Sequence, residues 1–328
     1  MKRLSKQSGR FNLVLEEVPI PEPGPREVRV KAVRSLISRG SEIGRRYTRE
    51  EAIDPQMMGY SMSGLVDAVG SDITHLELGD RVVVSAPHAD YVVEDATIRN
   101  VDDRPLVYPI DPSVDFNTAP YWGLTSGCVT WAVGEAAHPT DTVVIVGQGL
   151  VGNLLMQVHK ANGVRRVIAI DALDIRCEIA DKLGADVVIN TAYEDPVRAV
   201  HKLTTGVGAE IVVYAVGGPA GPKAFDQSLE MLASGGLLHL IGRYEDQALP
   251  FWTHKFAGKR MFEGYFMRSK GMAEARRGMD LLASGVVKAS QMTTHRYAFT
   301  EASAAFDLLY NRAEETLGVL LDWPANGK

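Results

Sequence analysis

The run Gly147-Gln-Gly149-Leu150-Val151-Gly152 carries the clearest chemistry in the sequence. It follows a β-branched stretch, TVVIV, and opens a segment with helical periodicity, LVGNLLMQVHKA. In that setting Gly147 permits a tight turn. Gly149 lets the backbone approach a pyrophosphate, and Gly152 lets the helix pack closely on the strand. The helix start, with the amides of Leu150 and Val151, offers unpaired N–H groups and a positive dipole end to phosphates. The next strand-like stretch, VIAID, ends at Asp171, about 20 residues beyond the glycines, where a carboxylate can accept hydrogen bonds from both adenosine ribose hydroxyls and would repel a 2′-phosphate. Ala172 adds no positive charge, so NAD is favoured over NADP. Arg176 could turn toward such a phosphate; its other role is to cover the adenine face. Without a ligand, the glycines are turn formers and Asp171 is a solvated strand end.

The elements around this run must position it. RVIAID, DVVINT, AEIVVYAVGG and LLHLIG read as strands, and LDIRCEIADKLGA, VRAVHKLTTG and AFDQSLEMLASGG as helices. Alternating strands and helices point to a parallel, doubly wound sheet. The first third differs: REVRVKAVRSLIS, SGLVDAVG, GDRVVVSA and HADYVVED are short strand patterns bounded by glycine or proline, as in a small barrel or sandwich. Helices are expected at MAEARRGMDLLASG and EASAAFDLLYN near the end. The fold class is α/β, with a β-rich domain from 1–117 and 259–328 and a dinucleotide-binding domain from 118–258.

Composition excludes several classes. The chain has 35 basic and 41 acidic residues, a net charge of −6, which disfavours a nucleic-acid surface. Its longest apolar runs are too short and glycine-rich to span a bilayer, and the N-terminal stretch lacks a signal-peptide core, so cytoplasm is expected. The two cysteines, Cys128 and Cys177, fit a reducing compartment and cannot build a four-cysteine zinc site.

The stretches PIPEPGPREVRVKAV, GYSMSGLVDAVGSDITHLELGDRV, VIVGQGLVGNLLMQ, DIRCEIADKLGAD and LASGGLLHLIG, in this order, resemble the medium-chain dehydrogenase/reductases of the alcohol dehydrogenase superfamily over nearly the whole chain. The resemblance implies a GroES-like catalytic domain from both chain ends, a Rossmann domain, an active site in the cleft between them, and a homodimer or homotetramer joined through the Rossmann sheets. The chain departs from the family's zinc pattern. Arg39 stands at the position of a cysteine ligand, Tyr60 and Ser61 replace a His-Glu pair, and Trp122 falls near the third ligand. None is a good zinc ligand, and the four-cysteine lobe is missing, so neither catalytic nor structural zinc is expected.

Zinc in such enzymes supplies several kcal/mol of charge stabilisation, so other donors must face the reacting oxygen. By resemblance, Ser41 is the hydroxyl that touches it and relays the proton. Glu42 is a base, or a partner for Arg39, or a helix cap. Arg39 supplies positive charge near the former metal position, or pairs with the cofactor pyrophosphate or Glu42. Tyr60 donates its phenol to substrate or is a packing residue. Ser61, Trp122 and His88 are assigned to the substrate pocket and Thr125 to the cofactor. Arg45, Arg46 and Tyr47 either bind an anionic or polyhydroxylated substrate or form an exposed helical face. SLISRGSE and GYSMSG are most similar to a zinc-free branch acting on sugar-, polyol- or bacteriochlorophyllide-type substrates. The expected function is NAD-dependent hydride transfer with a secondary alcohol or ketone of a sugar-, polyol- or cyclitol-like molecule. The alternatives are an NADPH-dependent quinone or enoyl reductase, against which Asp171 speaks, and a non-catalytic dinucleotide-binding protein.

Overall fold

A computed structural model of the protein describes residues 1–97, 105–242, 247–264 and 271–324. The chain divides into two compact units, Met1–Ser126 with Arg268–Lys328, and Gly127–Met267. Both crossings lie nine residues beyond those expected, at 127 against 118 and at 268 against 259.

The first unit is β-rich. A hairpin of β1 (Lys2–Lys6) and β2 (Leu13–Glu17) opens it. Its main sheet runs β14 (Thr293–Ala298), β15 (Gly318–Asp322), β3 (Glu27–Ile37), β4 (Met62–Val69), β5 (Arg81–Val84) and β7 (Val107–Pro109), with β6 (Tyr91–Asp95) also paired to β3. The long β3 alternates as the sequence predicts: Val28, Val30 and Ala32 are fully buried, while Arg29 and Lys31 keep partial exposure. The antiparallel β3–β15 pair joins residues near both chain ends, with Val319 opposite Ile37 and Asp322 opposite Arg34. The hairpin, β14, β15 and the short β7 have no counterpart in the sequence reading.

Two α-helices follow in this unit's C-terminal part, α7 (Met272–Ala283) and α8 (Ala302–Asn311). Between β3 and β4 lies a π-helix, Arg39–Tyr47, which buries Glu42, Ile43 and Tyr47. Lys6, fully buried, donates its ammonium to the carbonyls of Gln7, Arg49 and Glu51 at 2.9, 2.5 and 2.9 Å, pinning the chain that leaves the π-helix.

The second unit is a six-stranded parallel sheet in the order β10 (Val187–Asn190), β9 (Arg166–Asp171), β8 (Thr142–Val146), β11 (Ala209–Tyr214), β12 (Leu232–Leu240), β13 (Arg260–Glu263). Counted from β8, this is the doubly wound 3-2-1-4-5-6 order, whose reversal beside the first strand marks where dinucleotides bind. β8 is buried at every residue, as a strand covered on both faces must be. Helices α2 (Leu150–Ala161), α3 (Asp174–Lys182), α4 (Pro196–Leu203) and α5 (Gly221–Met231) connect successive strands. The one-turn α6 (Thr253–Phe256) precedes β13, an edge strand absent from the sequence reading. The chain passes between units within α1 (Trp122–Glu135).

Candidate functional site

In the second unit the glycine turn joins β8 to α2. Gly147 has φ +98°, a left-handed conformation that favours glycine, and a Cβ there would lie 2.8 Å from the Ala215 carbonyl oxygen. A Cβ on Gly152 would lie 1.8 Å from the Gly147 carbonyl oxygen, so only glycine lets α2 start this close to the turn. A Cβ on Gly149 would meet no protein atom within 4 Å. Space therefore opens before the first α2 amides, Leu150 and Val151 among them, which have no intrahelical acceptor.

Asp171 ends β9 beside this turn and is nearly buried, its residue 9% exposed. Oδ2 accepts from the Gln148 amide at 2.7 Å, and Oδ1 accepts from the Ala172 and Leu173 amides at 2.8 and 3.0 Å. Three backbone donors fix the orientation of a charged acceptor at the place a ribose would occupy. These features fit a dinucleotide: an open cradle, a helix start and an oriented carboxylate. Arg176 lies 3.6 Å from Oδ2, an ion-pair contact longer than a hydrogen bond. Beneath them Cys177 stays a thiol, its pKa pushed up to about 11 by burial and by Asp171.

The β-rich unit holds the remaining candidates. Arg39 and Ser41 sit half-buried on the π-helix, and the Arg39 Nε donates to the Leu309 carbonyl at 3.1 Å, at the C-terminal end of α8. That end carries partial negative charge, which anchors the guanidinium. Tyr60, Ser61, Ser85 and Trp122 line a small chamber of about 10 Å³, room for one water-sized group. The Ser61 hydroxyl is buried and has no hydrogen-bond partner among the described residues. Trp122 is a fixed wall: its indole stacks on Tyr108 at 5.2 Å and its N–H donates to the Ala275 carbonyl at 2.8 Å.

Four expectations change. Glu42 and His88 do not face substrate; they are 0% and 1% exposed and bind each other, Nε2 to Oε2, at 2.7 Å. Burial removes Glu42 as a base acting directly on substrate and His88 as a pocket residue. Glu42 turns to His88 and, as its capping alternative has it, accepts from the Ser38 amide at the start of the π-helix. Thr125 is fully buried, and its hydroxyl donates to the Tyr121 carbonyl one helical turn back, so its side chain does not face a cofactor. Tyr47 belongs to the core, not to an exposed face: it is 1% exposed, lies against Phe11 and Phe306, and donates to Asp307 on α8. Burial, reinforced by Asp307, raises its pKa.

The structure also assembles two groups that sequence reasoning missed. Ser35 and Trp323 extend the Glu42–His88 pair. In the second unit Glu135 lies between two fully buried histidines. His239 Nδ1 bonds to Oε1, and His159 Nε2 lies 2.5 Å from Oε2. No local pattern brings these residues together, since 24 to 104 positions separate Glu135 from its partners. Among the described residues, no group of three or more His, Cys, Asp or Glu side chains could hold a metal ion. The donor set at Arg39, Tyr60, Ser61 and Trp122 does not fit zinc: a guanidinium and an indole N–H have no lone pair to give. No helix among the described residues is long and apolar enough to cross a membrane.

The zinc-binding dehydrogenase family model matches residues 151–284. The L-threonine 3-dehydrogenase of Bacillus subtilis (strain 168) is 27% identical over 339 residues, covering 94% of this chain and 95% of that protein. An alcohol dehydrogenase from Thermus sp. ATN1 superposes with a TM-score of 0.82 at 23% identity, covering 99% of this chain and 100% of the other. Galactitol-1-phosphate dehydrogenase from Escherichia coli gives 0.82 at 20% identity, covering 98% and 100%. The similarity runs end to end rather than over the nucleotide-binding half alone, and on that footing the chain belongs to the zinc-type alcohol dehydrogenase-like superfamily of medium-chain dehydrogenase/reductases.

Proposed function

We propose that the protein is a zinc-independent oxidoreductase that transfers a hydride between NAD(H) and a secondary alcohol or its ketone on a sugar-, polyol- or cyclitol-like molecule. One observation carries the reading: Asp171 is held by three backbone amides as an oriented acceptor for ribose hydroxyls, beside the open cradle at Gly149. A fixed carboxylate there repels a 2′-phosphate, which supports NAD over NADP. The L-threonine 3-dehydrogenase relative acts on an alcohol, which supports the same reaction class here.

NAD(H), when bound, takes or gives the hydride. The chain does the rest. The α2 amides and Gly149 seat the pyrophosphate, and Asp171 orients the adenosine ribose. Arg39 supplies fixed positive charge, and Ser41 and Tyr60 supply hydroxyls that donate to the oxygen as charge develops and relay its proton. Trp122 and Ser61 shape the chamber wall. We also propose a cytoplasmic homo-oligomer joined through the second unit. Its support is β13, which ends the sheet order with Arg260, Met261 and Glu263 exposed.

The test is a parallel fluorescence titration with NADH and NADPH, followed by turnover with NAD on sorbitol, myo-inositol, 2,3-butanediol and L-threonine. Preference for NADH and turnover of any of these alcohols is the expected result. NADPH preference, with activity confined to quinones or enones, would move the protein to the reductase class.

A further inference from the structure

We propose that Ser35, His88 and Glu42 form a buried chain of positioning residues for the alcohol chemistry, locking the segment that bears Arg39 and Ser41 to the segment that bears Tyr60. Glu42 acts through its place and not as a base. The inference rests on the alcohol–ketone reading above and adds to it what holds the metal-free site in shape.

Both oxygens of the fully buried Glu42 carboxylate are occupied by protein donors. Oε1 accepts from the Ser38 amide at 2.9 Å, where the π-helix begins, and Oε2 meets His88 Nε2 at 2.7 Å. π-Helical turns are uncommon and need support from outside the segment. The carboxylate supplies it by capping its own segment and tying it to a ring on another loop.

His88 is itself clamped. Its Nδ1 meets the Ser35 hydroxyl on β3 at 2.8 Å, and its backbone amide donates to the Met58 carbonyl at 2.6 Å. Gly59 packs directly on it: a Cβ there would sit 2.7 Å from the His88 amide nitrogen and 2.9 Å from ring Cδ2. Tyr60 is the next residue. One imidazole therefore sets the distance between the π-helix and the Gly59–Ser61 segment.

The donors assign the ring's tautomer. Trp323 can only donate, and its indole N–H goes to the Ser35 oxygen at 2.8 Å. The ionised Glu42 carboxylate can only accept, so Nε2 carries the proton it receives. The Ser35 hydroxyl keeps its own proton after accepting from Trp323 and can donate it to Nδ1.

This bookkeeping makes Glu42→Gln a sharp probe. The amide oxygen still accepts from Ser38, while the amide nitrogen donates to Nε2. The ring then answers by moving its proton to Nδ1, toward Ser35. Geometry survives and charge does not. Glu42→Ala loses both.

The experiment compares the wild type with Glu42→Ala and Glu42→Gln. It measures kcat on an alcohol of the panel above that the wild type turns over, NADH affinity, the ¹⁵N signals of His88, and amide hydrogen exchange. Glu42→Ala should lower kcat by up to about 100-fold, the size of effect a displaced reacting group produces. NADH affinity should not change. Exchange should rise together in 39–47 and 59–61. Glu42→Gln should restore most of kcat and keep both segments protected, while the His88 signals change from the Nε2–H to the Nδ1–H pattern. A folded Glu42→Gln protein as inactive as Glu42→Ala would overturn the proposal, because the charge itself would then be needed. If the wild type turns over no alcohol, the functional reading fails and hydrogen exchange decides alone. Loosening of both segments in Glu42→Ala only supports the positioning chain; unchanged exchange sinks it.

Discussion

Glu42 and Glu135 are both buried glutamates facing histidine, one in each unit, and they are held by different means. Around Glu42 every group has a partner, from the Trp323 indole through Ser35 and His88 to the Ser38 amide. Around Glu135 the carboxylate is shared by two imidazoles, while His159 Nδ1 and His239 Nε2 have no hydrogen-bond partner among the described residues. Burial pushes the Glu135 carboxyl up, but the two histidines outweigh it and hold it below its ordinary value. Low dielectric strengthens a satisfied network and penalises a partly satisfied one. The first group is therefore fixed by geometry and the second by charge, and removing a charge should matter far more in the second.

The largest expected effect breaks the charge-held group. Glu135→Gln should cost about 3 kcal/mol, as loss of one partner of a buried pair does, read as a lower urea midpoint at pH 7. The folded carboxyl titrates below the ordinary value of 4.5, so its contribution is present above that pH and lost as the pH falls through the folded pKa. The wild type should lose stability on acidification below pH 4.5 more steeply than Glu135→Gln. An equal acid slope in both proteins would remove the distinction between the two groups.

Next in size is a change that touches no carboxylate. Gly152→Ala places a Cβ 1.8 Å from the Gly147 carbonyl, and such overpacking costs about 1–3 kcal/mol. Calorimetry should show the loss, and NADH binding should weaken with it.

Asp171 sharpens the comparison because backbone amides hold it rather than imidazoles. Asp171→Asn removes a charge-assisted acceptor, and NADH affinity should fall roughly 10-fold. NADPH binding should fall less, which narrows the preference; fluorescence titration with both nucleotides measures it. The smallest effect is expected at Glu94, whose neighbours have its own sign. Burial, then Glu27 and Asp95, push its pKa up to about 7. A carboxyl with a raised folded pKa destabilises the fold as it ionises, so this contribution worsens as the pH rises from 4.5 through about 7. After allowance for solvent screening, Glu94→Gln should gain about 1 kcal/mol at pH 8 and nothing at pH 4, read from urea midpoints at the two pH values.

The dinucleotide unit was legible because its site is local. Gly147, Gly149 and Gly152 lie within six residues, and the strand that ends at Asp171 is the next one. Backbone geometry does the binding there, and backbone geometry leaves a mark on spacing. The β-rich unit hides its site. Ser35 and Glu42, His88, and Trp323 come from three widely separated parts of the chain, and a single histidine or serine carries no periodic signal. The π-helix misled only in part: Arg45 is exposed, as one of its two readings has it, but Tyr47 beside it is buried with Glu42 and Ile43. Thr125, assigned to the cofactor, instead donates its hydroxyl to the Tyr121 carbonyl just before α1.

The pairing of β3 with β15, and of Ser35 with Trp323, sets an order of events during synthesis. The ribosome completes every strand of the nucleotide-binding sheet before residues 318–323 leave it. Domains fold as units while the chain grows, so this sheet can close while β3 still lacks its neighbour. The imidazole that joins the Arg39–Ser41 and Tyr60 segments receives its last support from Trp323, through Ser35. A nascent chain thus gains the glycine turn and the Asp171 acceptor beside it before the Ser35–Trp323 contact that backs the His88 ring can form.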